Sequence, residues 1–222
     1  GKTVELNALW YNALKIMARL AEKYENKQLC RKYLEMAEKT KKSFDEKFYN
    51  EGKHCLYDVL GDSKVRPNQL FALSLSHPIV DNAEIAEQVL STVENKLLNK
   101  YGLKTLSSDE DGYVDVYEGS AYKRDSSYHQ GITWPWLLGL YYDALKNTMI
   151  IEKNRTKRQE LEEKITNLVD TTKETFKAEM FERSSIGTIS EIYDSTEPYE
   201  ERGAFAQAWS VAEIFRIVLN KR

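Results

Sequence analysis

Thirteen consecutive residues, Arg124-Asp125-Ser126-Ser127-Tyr128-His129-Gln130-Gly131-Ile132-Thr133-Trp134-Pro135-Trp136, gather a cation, an acid, an imidazole, an amide and two indoles. Flat aromatic faces cover the CH faces of a sugar, while planar amides and guanidiniums grip its hydroxyls, so the mixture suits carbohydrate recognition. Core packing is the ordinary explanation for either indole alone. The cluster as a whole shifts the balance toward a site. Gly131 permits a tight turn, and Pro135 is tolerated in a first helical turn, which predicts Trp134 and Trp136 at a helix mouth. His129 is one of three histidines and has no partner at metal-ligand spacing. It is expected to bond a hydroxyl or to serve the fold, and no metal or cofactor is expected.

A second set lies in Ile189-Ser190-Glu191-Ile192-Tyr193-Asp194, whose alternation of apolar and polar residues predicts a short extended strand. A carboxylate beside Trp and Tyr suits glycoside hydrolysis, in which one acid protonates the leaving oxygen and another activates water or attacks carbon. Most loop carboxylates are merely solvated, so Glu191 by itself is a weak candidate. Arg66-Pro67-Asn68-Gln69 reads as a helix start with Pro67 near its first position, and its polar side chains could hold hydroxyls. Near the amino end, Glu5, Asn7, Trp10 and Tyr11 surround the start of another helix, with Asn7 as N-cap the competing reading.

These groups need elements to position them. Apolar residues recur at helical spacing over residues 7–24, with Trp10, Ala13, Leu14, Met17, Ala18, Leu20 and Ala21 on one broad face, and again from Cys30 through Phe44 and Phe48. Further helices are predicted over residues 69–76, 83–98, 133–147, 156–181 and 204–219, making seven in all. Three long non-helical stretches, 51–65, 99–132 and 182–203, each follow the second helix of a pair. They should therefore emerge at one end of the assembly, and loops this long are usually functional. Helix pairs joined by long loops predict an all-α (α/α) toroid, here a partial ring of about seven helices within a single domain over residues 1–222.

Composition agrees with a globular helical chain: 41% apolar and 30% charged residues, with 10 Gly and only 4 Pro in 222 residues. The 32 basic and 35 acidic residues are interspersed, so no nucleic-acid surface is expected. No apolar run approaches the roughly 20 residues that span a bilayer, and the start is not that of a signal peptide. The expectation is a cytoplasmic protein with no membrane partner, in which Cys30 and Cys55 stay reduced. The absent initiator Met points to a piece of a longer chain.

Taken in order, the segments residues 1–2 with 4–14, 66–69, 128–131 with 134–136, 190–194 and 206–213 resemble the amylo-α-1,6-glucosidase domain of glycogen-debranching enzymes. The resemblance covers nearly the whole chain. It implies an (α/α)6 toroid of the six-hairpin glycosidase kind, which removes the single α-1,6-linked glucose stub of glycogen or limit dextrin with inversion. By its place in the motif, Glu191 resembles the general base. The substrate-binding set it implies is Glu5, Asn7, Trp10, Tyr11, Arg66, Asn68, Gln69, Arg124, Asp125, Tyr128, His129, Gln130, Trp134 and Trp136. The general acid belongs to a segment ahead of Gly1, so the amino-terminal remainder of the parent chain is the expected partner and this piece alone is expected to be inactive. The family has Gly after the motif aspartate, whereas this chain has Ser195. A non-catalytic α-glucan-binding toroid and a trehalase- or α-mannosidase-like toroid hydrolase stay open as alternatives.

Overall fold

The computed structural model describes residues 1–183 and 186–219. Residues 184 and 185, within the third predicted loop, lie outside the described residues. Among those described, the chain is mostly helical: α1 (Val4–Lys23), α2 (Lys27–Asp45), α3 (Phe71–Ser74), α4 (Ala83–Lys96), α5 (Ala121–Ser127), α6 (Leu137–Ile151), α7 (Arg155–Glu182) and α8 (Ala208–Leu219). Asn side chains fix three of the starts. Asn26, Asn82 and Asn154 each accept from backbone N–H groups of the following first turn, satisfying donors that a helix leaves open.

Helices α1, α3, α6 and α8 form a row in which each touches the next, while α2 packs on α1, α4 on α6, and α7 on both α6 and α8. The core fills this row. α6 lies in its middle and buries Leu137, Leu138, Tyr141, Tyr142, Ala144 and Leu145, which is why it is the most evenly apolar of the long helices. α1 is different. Val4, Ala8, Leu14, Ala18 and Ala21 are buried, but Leu6, Trp10, Met17 and Leu20 are exposed. The broad apolar face expected from the sequence is thus two faces, and only one has a partner among the described residues.

Among the described residues, seven very short strands join the helices. β1 (Tyr49–Asn50) and β2 (Cys55–Leu56) form a hairpin, and β3 (Leu98–Asn99), β4 (Gly102–Lys104), β5 (Thr133–Trp134), β6 (Ile192–Tyr193) and β7 (Glu201–Arg202) form one antiparallel ladder in that order. Leu103 pairs with Trp134, Thr133 with Tyr193, and Ile192 with Arg202. Three helix boundaries differ from the expected ones, the first because of this ladder. Residues 133–134 are strand because β4 and β6 flank them, so α6 starts at Leu137 and Trp134 is not at a helix mouth. α2 ends at Asp45, and Phe48 stacks on Phe44 from outside it, the ring centroids 4.5 Å apart. α8 starts at Ala208, leaving residues 204–207 as a loop. The helix over residues 121–127 was not expected; Ser120 caps it by accepting from Lys123 N–H.

Gly131 meets the expectation of a tight turn. Its φ is +135°, and a Cβ would lie 2.2 Å from the Val114 carbonyl oxygen and 2.7 Å from the Tyr113 ring. Gly131→Ala should therefore lower stability by about 1–3 kcal/mol through overpacking against backbone. Urea unfolding followed by circular dichroism measures it; an unchanged midpoint would contradict this packing.

Candidate active site

The three long loops converge as expected. Arg66, just ahead of the 3-10 turn Pro67–Leu70, reaches across to the second loop: its Nη1 donates to the Thr105 carbonyl at 3.0 Å and the His129 carbonyl at 2.7 Å, and its Nη2 to Gln130 Oε1 at 2.9 Å. Ser195, in the third loop, donates from its backbone N to the Asp115 carbonyl at 2.7 Å, and its hydroxyl meets Thr133 Oγ1 at 2.6 Å and donates to the Gly131 carbonyl at 2.5 Å. This serine therefore ties two loops together.

Glu191 lies at the meeting point, one residue ahead of β6 and half-buried. Tyr128 donates its hydroxyl to Glu191 Oε1 at 2.5 Å, Gln207 Nε2 donates to the same oxygen at 3.4 Å, and Ala204 N–H donates to Oε2 at 2.9 Å. A carboxylate has about four acceptor positions. Among the described residues three are occupied, and the open one is on Oε2. Burial, and then the hydrogen bond to Glu191, push the Tyr128 phenol well above its ordinary value, so Tyr128 remains a donor. Gly203 permits the close approach of the loop, since a Cβ there would lie 2.4 Å from Glu191 Oε2.

Next to this carboxylate is an aromatic cluster. Tyr128 packs edge-on to Trp134 with centroids 4.7 Å apart, His129 stacks on Trp134 at 5.3 Å, and Trp209 stacks on Trp136 at 5.5 Å while meeting Trp134 edge-on at 5.7 Å. Burial, assisted by the Arg66 guanidinium, lowers the His129 imidazole, which favours its neutral form. The cluster opens to solvent at Trp209, 45% exposed, and at His129, and Phe205, which follows Ala204 in the chain, is 74% exposed.

The expected binding residues divide accordingly. Tyr128 alone touches Glu191, while His129 and Trp136 belong to the surrounding cluster. Trp134 is 3% exposed on a strand, so it backs the site and cannot cover a sugar face in this arrangement. Gln69 is 1% exposed, its amide occupied by Leu56 N–H and the Arg66 carbonyl. Arg66 and Gln130 hold each other. Asn68 donates to Asp58, whose carboxyl is raised by burial against the opposing effects of Asn68 and Arg66, and Glu5 stands close enough to add to the rise. Arg124 and Asp125 are exposed on α5, with Arg124 Nη1 donating to the Gly119 carbonyl.

At the amino end, Asn7 is not an N-cap. α1 begins at Val4 with Thr3 in that place, and Asn7 Nδ2 donates to the Thr3 carbonyl at 2.7 Å. Tyr11 faces Lys41 and Asp81, and Trp10 is exposed on α1 with no ring partner among the described residues. Sequence reasoning missed Ala204, Phe205, Gln207 and Trp209. The signal was present, because Gln207 and Trp209 lie in the quoted segment 206–213, but a helix expected from residue 204 would have used these backbone groups internally.

Asp194 completes the frame. It is buried, accepts from Tyr117 N–H at 2.8 Å, and pairs with Arg202 Nε and Nη2 at 3.0 and 2.8 Å, locking β6 to β7. Among the described residues, no group of three His, Cys, Asp or Glu is placed to hold a metal ion, and no helix is long and apolar enough to cross a membrane.

The family model described as Amylo-alpha-1,6-glucosidase matches residues 1–216. A solved structure named a sialidase superposes with a TM-score of 0.69 at 12% identity, over 96% of this chain and 19% of that one. At that identity the likeness concerns the fold alone.

Arg66 should behave as a fork rather than a point charge. Arg66→Lys removes the paired geometry to two carbonyls and an amide, and is expected to cost about 1–2 kcal/mol, with Arg66→Leu costing more. Chemical denaturation of the two variants checks this; equal stability of wild type and Arg66→Leu would show the clamp to be idle.

Proposed function

The chain belongs to the amylo-alpha-1,6-glucosidase family, and from that premise we propose that it is the carboxy-terminal part of an inverting glycoside hydrolase acting on the α-1,6-linked glucose stub of glycogen or limit dextrin. Glu191 is the general base. The observation that carries this reading is the carboxylate held by Tyr128, Gln207 and Ala204 with one acceptor position left on Oε2.

In inversion, the base takes a proton from water as the water oxygen bonds to the anomeric carbon, while the bond from that carbon to the leaving oxygen breaks and a separate acid protonates the leaving group. The two carboxyls then stand about 6.5–9.5 Å apart to accommodate the water. The Oε2 lone pair suits the water, and the fixed donors keep the carboxylate from turning. The acid comes from the parent chain outside these residues, so this piece alone should turn over little.

Trp209 is the exposed indole of the cluster beside the base, on which the apolar face of a glucosyl ring can rest. The row α1, α3, α6, α8, with α2, α4 and α7 packed against it, reads as an arc of an (α/α)6 toroid within one domain spanning residues 1–222. Its two open edges are apolar, with Leu6, Trp10 and Met17 on α1 and Phe181, Phe215 and Leu219 on α7 and α8. These edges are the surfaces that the remainder of the ring covers. α-Glucan is the substrate partner, and the amino-terminal remainder of the parent is the protein partner.

Glu191→Gln in the full-length parent should lower glucose release from limit dextrin by about 10²- to 10⁴-fold, the usual contribution of one proton-transfer group. Undiminished release would remove Glu191 from the base role. Trp209→Ala should instead raise KM, by about tenfold or less, with a smaller effect on kcat; steady-state kinetics on the same substrate separates the two, and an unchanged KM would rule out the platform.

A further inference from the structure

Behind the strand that follows Glu191 lies a buried ionic cluster that the proposed chemistry does not use. Glu179, near the end of α7, is 3% exposed. Its Oε1 accepts from the Tyr193 hydroxyl at 2.8 Å, and its Oε2 lies 3.5 Å from Arg183 Nε. That same nitrogen is 2.7 Å from Oε1 of Glu201, on β7. Yet among the described residues Glu179 Oε2 and Glu201 Oε1 are both buried without an aligned hydrogen-bond donor. Ionised carboxylates carry only acceptors, so neither can satisfy the other. A single proton between them satisfies both, and leaves one negative carboxylate balancing one guanidinium.

The surroundings hold the cluster in place. Arg183 Nη1 donates to the Tyr101 hydroxyl at 2.7 Å and Nη2 to the Tyr199 carbonyl at 3.4 Å. The Tyr101 ring stacks on Tyr193 at 4.4 Å, and Lys100 Nζ lies 5.2 Å from its centroid. Among the described residues, the charged and titratable groups around Glu179 are thus Arg183 from α7, Tyr193 from β6 and Glu201 from β7, with Tyr101 from the β3–β4 turn reached through Arg183, Lys100 over the Tyr101 ring and Tyr199 beside it.

We infer that Glu179 and Glu201 share one proton, and that this pair is a positioning device for Glu191. With the proton in place, β7 is held against α7, and the loop that leaves β7 keeps Ala204 N–H and Gln207 on the Glu191 carboxylate. Without it, two like charges around one guanidinium push β7 away from α7, and both donors go with it. Burial pushes the Glu179 carboxyl up to about 7, with the Glu201 charge adding to the rise and the Tyr193 hydrogen bond and Arg183 opposing it. A carboxyl raised in the fold contributes stability that is present below its ordinary value of 4.5 and is lost as pH rises through about 7.

The activity arm of the inference rests on Glu191 as base; the stability arm does not. In the full-length parent, the melting temperature of wild type is expected to fall as pH rises through about 7, and Glu179→Gln, which mimics the protonated group, should flatten that fall. Glu201→Gln should do the same, and serves if the first variant folds poorly. On limit dextrin, wild-type kcat/KM should fall by about tenfold per pH unit above that point, and Glu179→Gln should lose this alkaline limb. Melting curves with the wild-type pH slope in both variants overturn the shared proton. A flattened melting slope with the alkaline limb retained overturns the positioning role. A parent without glucosidase activity overturns the base reading, while the melting arm still decides the shared proton.

Discussion

The ladder β3–β4–β5–β6–β7 is the constraint on which the site depends. Each strand has two or three residues and would be negligible alone, but the order places the second and third long loops edge to edge. Thr133 faces Tyr193 across it, and Ile192 faces Arg202. Because of that register, Tyr128 from one loop and Ala204 from another meet on a single carboxylate. The Asp194–Arg202 pair on one side and the Glu179–Arg183–Glu201 group on the other lock the same two strands. Ionic groups this close to a short ladder replace the backbone pairing that longer strands would provide.

The residues around Glu191 divide their labour. Arg66, Ser195 and Gly131 hold the loops together, and their polar groups or close contacts are directed at neighbouring backbone. Trp134 and Gln69 are interior. Tyr128, Gln207 and the Ala204 amide fix the carboxylate, and Trp209 supplies an open aromatic face. In the proposed reaction, chemistry and grip therefore fall to few side chains, while most of the polar residues of the motifs maintain the geometry.

Much of this was legible in the sequence. Helical spacing located seven of the eight described helices, since a 3.6-residue apolar period is a local property. The convergence of the loops followed from their alternation with helix pairs. What was not legible depends on contacts between distant residues. Residues 133–134 are strand because β4 and β6 flank them, and residues 204–207 leave the helix so that Ala204 can reach Glu191. The exposure of Trp10, Met17 and Leu20 was equally hidden, because apolar spacing shows which faces favour burial and not whether a partner is present. The buried pair of carboxyls, 22 residues apart by number between Glu179 and Glu201, leaves no local pattern at all.

The central claim is that Glu191 directs a water to the anomeric carbon from the side opposite the leaving glucan. Inversion is its direct chemical signature. Proton magnetic resonance of the first glucose released from limit dextrin by the full-length parent, recorded before the anomers equilibrate, reads the configuration without any substitution in the protein. The account predicts that β-glucose appears first and α-glucose grows in by mutarotation; α-glucose as the first product would contradict it.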